Sequence, residues 1–141
     1  MTNDVVSSVW PILHYDNTRA ALSYFVNVLG FEKILAVEDE QGDVVHAELA
    51  WPGGGMFVFG STKHTGSVHG NMRPGNTAMY VMTDDVESVH QRVLKYNGEV
   101  VNPPQETEFG SGVRAYAFTT SDPEGNLWTF GDYHGIKRAR Q

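Results

Sequence analysis

His46 and Glu48 are the pair in this chain whose types and spacing best suit proton chemistry. At i and i+2 of a predicted strand they share one face, while Val45, Ala47 and Leu49 alternate onto the other. An imidazole beside a carboxylate is held partly protonated near neutral pH, so such a pair can act as a general acid/base or orient a ligand. The same spacing also suits a solvated outer face. His14, on an earlier strand, is a further donor, and a metal held by His14, His46 and Glu48 is an alternative that requires the three to converge. Arg114 offers a planar fork to a carboxylate or phosphate; its competing reading is a pair with Glu106 or Glu108. His64 and His69 fall in a glycine-rich stretch and read as loop residues, and Asp84 and Asp85 read as helix caps. Cysteine is absent, which removes thiolate catalysis, disulfides and Cys-type metal sites together. No glycine-rich nucleotide loop or Gly-x-Ser-x-Gly elbow occurs.

The elements that must position these residues occur twice. Residues 8–60 and 76–135 each read as strand, helix and three further strands, a self-similarity that implies one domain of two modules. In the first, Asn17 caps a helix whose Leu22, Phe25, Val26 and Leu29 fall at i, i+3, i+4 and i+7, and Gly30 stops it. Predicted strands cover 9–15, 31–38, 44–51 and 56–59, with Pro52-Gly53-Gly54-Gly55 reversing the chain. Residues 61–75 lack periodicity and read as a flexible linker. In the second module, Asp84 or Asp85 caps a helix carrying Val86, Val89 and Val93, and Gly98 ends it. Strands are predicted at 77–83, 99–102, 113–120 and 126–133, with Pro103-Pro104 stopping the second and Asp122-Pro123-Glu124-Gly125 forming a type I turn. Residues 136–141 form a tail.

Composition excludes several classes. An apolar fraction of 40%, with three Trp, six Tyr and seven Phe in 141 residues, argues for a packed core. A formal charge of −7 opposes a nucleic-acid backbone. The basic cluster Lys137, Arg138 and Arg140 reads as a solvated tail. No apolar run nears the roughly 20 residues of a membrane span, and the first residues show no export signal, so a cytoplasmic location is expected.

Two segments carry a resemblance to a known family: ALSYFVNVLGFE at Ala21–Glu32 and SDPEGNLWTFGDY at Ser121–Tyr133. With them, the chain resembles the vicinal oxygen chelate superfamily, which includes glyoxalase I, extradiol dioxygenases, fosfomycin-resistance enzymes and bleomycin-binding proteins. His46–Leu49 (HAEL) and the Trp-x-Phe-Gly of Trp128–Gly131 are similar to a glyoxalase-like branch of it. The resemblance implies an α+β fold in which two paired βαβββ modules form a cupped mixed sheet around a small-molecule cleft. It also implies four metal-ligand positions, which fall on Trp10, a residue near Val58, Ala78 and Thr129. None supplies a His or Glu, so no metal, no cofactor and no glyoxalase I reaction are expected.

On this basis the cleft is expected to be lined by Trp10, His14, His46, Glu48, Phe57, Phe59, Tyr80, Met82, Arg114 and Thr129, with Trp128 and Phe130 turned to the core. The leading expectation is a homodimeric protein that sequesters a partly aromatic organic ligand. The alternative is a lyase or isomerase using a displaced metal, or His46 and Glu48 as a metal-free acid/base pair. A third reading is a structural dimerisation domain.

Overall fold

Each half of the chain builds a four-stranded mixed sheet with one helical segment on its inner side. The computed structural model describes residues 8–64, 66, 68, 69, 71–108 and 112–135. The basic C-terminal cluster and the first seven residues, read above as a solvated tail and as carrying no export signal, lie outside the described residues. In module one, β1 (Ile12–Tyr15), β2 (Glu32–Glu38), β3 (Val44–Ala50) and β4 (Met56–Ser61) are ordered β1-β4-β3-β2, with β1 parallel to β4. In module two, β5 (Ala78–Met82), β6 (Glu99–Glu108), β7 (Arg114–Ser121) and β8 (Leu127–Gly131) repeat that order as β5-β8-β7-β6, with β5 parallel to β8. The fold is α+β, as expected.

The strand registers make the repeat exact at residue level. Ile12 faces Val58 and His14 faces Gly60 in module one; Tyr80 faces Thr129 and Met82 faces Gly131 in module two. Phe57 and Phe59 therefore correspond to Trp128 and Phe130.

The first helix begins as α1 (Thr18–Ser23), with the Asn17 side chain accepting from the Ala20 amide, and continues as a π-helical segment, Tyr24–Leu29. Its last turn is wide: the Gly30 and Phe31 amides both donate to the Phe25 carbonyl, at 3.0 and 2.9 Å. That widening rotates the buried stripe to Ala21, Phe25, Val28 and Leu29, leaving the expected Leu22 and Val26 only half-buried. Gly30 closes the segment in the left-handed region, φ +92°, under the Arg92 guanidinium. The second helix, α2 (Val86–Lys95), is capped by Asp85, not Asp84, and buries Val86, Val89 and Val93. β6 runs through Pro103-Pro104 instead of stopping there. It is the sheet's edge strand and its pairing breaks register between Asn102 and Gln105, so the missing amides cost no ladder bond.

The two modules meet through their inner faces. Phe25 sits against Tyr15, Phe31, Phe57, Phe59 and Trp128, with ring centroids 4.9–6.3 Å apart and mostly edge-to-face. The Asp122–Asn126 turn clasps this seam. Asp122 accepts from the Glu124 and Asn126 amides, the Trp128 indole and the Tyr15 hydroxyl of the other module. Glu124 accepts from the Asp16 and Asn17 amides at 2.7 Å each, at the start of α1. Asn126 accepts from the Gly75 and Thr77 amides and donates to Tyr15, so the linker's end is tied down by the same turn.

Candidate functional site

With the inner faces joined, the outer faces of both sheets keep exposed apolar side chains, and residues of the segment after β4 lie over part of the outer face of module one. Alternation along each strand places Ile12, His14, Val58 and Gly60 outward in module one, with His46 and Glu48 beside them on β3. Module two turns out Ala78, Tyr80, Met82, Leu127 and Thr129. Ile12, Tyr80 and Met82 remain 49%, 40% and 44% exposed despite their size. Trp10 precedes β1 and is 38% exposed; its neighbours Val9 and Pro11 line one cleft and Ile12 the next.

The first cleft, about 530 Å³, opens at one end of the seam between modules. Its walls include Trp51, Phe57, Met79, Tyr80, Met82 and Trp128. The Trp51 indole donates to the Met82 carbonyl at 3.2 Å and fixes this corner. The Tyr80 hydroxyl donates to the Tyr133 carbonyl, and burial raises its phenol above the usual value. Tyr80 lies so close over Gly131 that a Cβ there would stand 3.0 Å from its hydroxyl, which accounts for the glycine.

The second cleft, about 790 Å³, lies on the bare face of module one. It holds His14, His46, Lys63, His64 and His69. His46 Nε2 lies 2.9 Å from Glu48 Oε2, so the pair singled out by spacing is hydrogen-bonded, at the half-exposed rim. The His14 and His69 rings stand 5.7 Å apart. Burial, then the charges of His69 and Arg73, hold the His14 imidazole below its ordinary value. Neither His64 nor His69 was assigned a site from sequence, because nothing local relates a glycine-rich loop to a strand fifty residues earlier.

The remaining expected residues divide. Thr129 is on the bare face, its hydroxyl 2.7 Å from that of Thr119. Phe59 is fully buried and Phe57 nearly so, both on the inner face, where Phe57 reaches only the floor of the seam cleft. Their packing against Phe25 makes them core; Met56 and Val58 hold the outward positions of that strand. Arg114 shares its face of β7 with Tyr116, whose hydroxyl bonds Glu87 of α2, so it stands on the helix side and pairs with Glu106 at 3.3 Å. The structure thus brings His14, His46 and Glu48 to one face, and Tyr80, Met82 and Thr129 to the other, and leaves Arg114, Phe57 and Phe59 outside both.

The resemblance implies metal positions at Trp10, near Val58, at Ala78 and at Thr129, and the strand registers make Val58 and Thr129 equivalent in the two modules. An indole, an isopropyl group, a methyl and a hydroxyl do not fit a divalent cation. Among the described residues, three convergent donors occur at Asp39, Asp43 and His64, at the β2–β3 turn. There the imidazole bridges both carboxylates, at 3.2 and 3.5 Å. Burial pushes the Asp43 carboxyl up, but bonds from Ser61 and Thr18 and the nearby Lys63 and His64 charges outweigh it and hold the group low.

A family model described as the Glyoxalase/Bleomycin resistance protein/Dioxygenase superfamily matches residues 9–130. No curated protein matches the chain. Among solved structures, TioX from Micromonospora sp. ML1 is 25% identical, with a TM-score of 0.68 over 88% of this chain and 98% of its own. Virulence protein STM3117 from Salmonella typhimurium is 18% identical with a TM-score of 0.68, covering 94% of this chain and 99% of its own. A lactoylglutathione lyase from Agrobacterium tumefaciens is 19% identical with a TM-score of 0.63, covering 89% and 92%. The repeated βαβββ register, the Asp122–Asn126 clasp and the family match over most of its length together make this chain a member of the glyoxalase/bleomycin resistance protein/dioxygenase superfamily.

Proposed function

We propose that this protein binds a small, partly aromatic organic molecule without the divalent ion of metal-dependent relatives. The ligand lies between the bare face of module one in one copy and that of module two in a second. What supports this reading is the residue types at the positions that the resemblance implies for metal ligands, Trp10, Val58, Ala78 and Thr129, together with the exposure of the nearby strand residues Ile12, Tyr80 and Met82. Concave apolar surface with a few fixed polar groups is what a small-molecule site requires. An indole in place of an ion exchanges chelation for a stacking surface.

The test is a thermal-shift ligand screen run with EDTA and with added Mg, Mn, Ni or Zn, followed by fluorescence titration. Aromatic ligands should stabilise the protein equally in EDTA and quench tryptophan emission. Trp10→Ala should weaken the best of them by about 1–3 kcal/mol, the scale of a buried aromatic contact. Stabilisation that needs a metal would overturn the reading.

The hydrogen bond between His46 and Glu48 favours a second reading, in which the pair moves a proton on the bound molecule as in a lyase or isomerase. His46→Gln and Glu48→Gln would then retain ligand affinity and lose turnover of a bound substrate. Retained turnover in both would exclude them as acid and base.

A further inference from the structure

We propose that Asp39, Asp43 and His64 form a binding site for a divalent transition-metal ion of the zinc type, separate from the strand positions that the resemblance implies and independent of the ligand-binding reading above. The β2–β3 and β7–β8 turns are built alike, so each serves as a control for the other. Asp39 Oδ1 accepts from the Gln41 and Asp43 amides at 2.9 and 3.0 Å, and Asp122 Oδ1 from the Glu124 and Asn126 amides at 3.0 and 3.1 Å. The remaining atoms differ. Asp122 Oδ2 is taken by the Trp128 indole and the Tyr15 hydroxyl, and the place of Asp43 is held by the neutral Asn126. In the β2–β3 turn two carboxylates stand together, their side chains only 23% and 12% exposed. Asp43 Oδ1 accepts from the Thr18 hydroxyl at 2.6 Å, so each carboxylate has one oxygen anchored by the protein. The second oxygen of each faces His64 Nε2, at 3.2 and 3.5 Å.

One imidazole N–H cannot satisfy both oxygens. A ring nitrogen carries at most one hydrogen, and a charge-assisted N–H···O bond is about 2.7–2.9 Å long, shorter than either spacing. Asp43 Oδ2 is buried and lacks a hydrogen-bond partner among the described residues. The spacings are instead those of ligands on one ion, since donors about 2.0–2.2 Å from a tetrahedral metal lie roughly 3.3–3.6 Å from each other. All three donor atoms fall within 4.8 Å of one another. An ion among them neutralises both carboxylates and gives the ring nitrogen and both free oxygens a partner at once. The imidazole selects a transition metal over calcium or magnesium, which take oxygen donors. A cleft of about 720 Å³ opens over the group and admits water to complete the coordination. Lys63 and Arg19 also line it, but the Lys63 ammonium donates to the Asp16 carbonyl at 2.7 Å and the Arg19 guanidinium lies over Gly42. Thr18 orients the Asp43 carboxylate from behind, as the outer partners of metal ligands do.

The test titrates the untagged full chain, stripped with EDTA and dialysed, with zinc, cobalt and calcium by calorimetry. No organic ligand is present, which keeps the outcome separate from the metal dependence of ligand binding tested above. Zinc should bind as one ion per chain, raise the melting temperature, and bind at least about tenfold more tightly than calcium. Cobalt should develop visible absorption on binding. His64→Ala and Asp43→Asn should each weaken zinc by about tenfold or more, at least the loss caused by removing an outer partner of a metal site. His64 is half-exposed, so its variant should fold; Asp39→Asn replaces Asp43→Asn if that one does not. His14→Gln and His46→Gln, in the neighbouring histidine cleft, should leave zinc affinity unchanged. Absence of zinc binding, zinc affinity that survives in His64→Ala, loss in His14→Gln or His46→Gln instead, or calcium held as tightly as zinc would each overturn the site.

Discussion

Asp122 gathers hydrogen bonds from two residues of its own turn, from Trp128 and from Tyr15 across the module seam, while 4% exposed. An amide in its place would turn a donor toward at least one of those donors. Asp122→Asn should therefore cost about 2–4 kcal/mol in chemical denaturation, against about 1 kcal/mol for Tyr15→Phe, which deletes one partner only. Burial, then the Asp122 charge, pushes the Tyr15 phenol well above its ordinary value. A phenol raised in the folded state contributes stability in full below about pH 10, where the unfolded chain titrates, and loses it as pH climbs above that. Stability should fall there by about 1.4 kcal/mol per pH unit, and Tyr15→Phe should remove that share of the slope. An unchanged slope in the variant would show that the phenol ionises freely in the fold. The outward positions of His14, Tyr80 and Thr129 follow from alternation once the resemblance anchors one residue per strand, because a strand's period is two whatever it packs on. Phe57 and Phe59 line the clefts only from beneath, because both side chains pack inward against Phe25. The repeat agrees, since they occupy the register of Trp128 and Phe130, already assigned to the core.

At the scale of elements, the first helix is completed by the other half of the chain. Glu124 accepts from the two amides at its entry, and Arg92 of α2 donates to the Val28 and Leu29 carbonyls at its exit, 2.9 Å each. Negative charge at the N-terminus and positive at the C-terminus oppose the helix dipole, so each contact adds electrostatic to hydrogen-bond stabilisation. Arg92→Ala should cost about 1.5–3 kcal/mol, the range for bonds to a charged group, and Glu124→Gln less, because the amide keeps one acceptor. Arg92→Lys should recover only part, lacking the fork. Equal denaturation midpoints for wild type and Arg92→Ala would remove the cap from the account. The local signals, Asn17 and Gly30, were readable because capping is a matter of neighbouring residues. Arg92 and Glu124 were not, since 63 or more residues separate them from the groups they hold. The π-helical turn escaped for another reason: Leu22, Phe25, Val26 and Leu29 fit a 3.6-residue period well, and only packing around Phe25 shows the wider one.

For the molecule as a whole, the two outer sheet faces are what a second copy would have to cover. Besides Ile12, Tyr80 and Met82, the outward surface exposes Leu35, Val37 and Leu127 by 38–43%. Exposed apolar side chains repeated on both outer faces suit an interaction surface. β1 and β5 are end strands of their sheets, the kind of edge that pairing between chains can cover. A second copy related by a two-fold axis meets both needs at once, presenting module two to module one twice over. It would also enclose the His14–His69 cleft with the Tyr80 face. A homodimer is therefore expected in light scattering at tens of micromolar, roughly the range in which even weak pairs persist. Ile12→Lys and Met82→Lys, one on each face, should each shift the mass toward the monomer. Neither should lower the melting temperature of the monomer by more than a few degrees, because both side chains lie outside the core. Leu13→Lys, one residue along and 5% exposed, should instead unfold it. A wild type that stays monomeric across the concentration series would sink the dimer, and with it a ligand site shared between copies; each bare face would then have to bind its ligand alone.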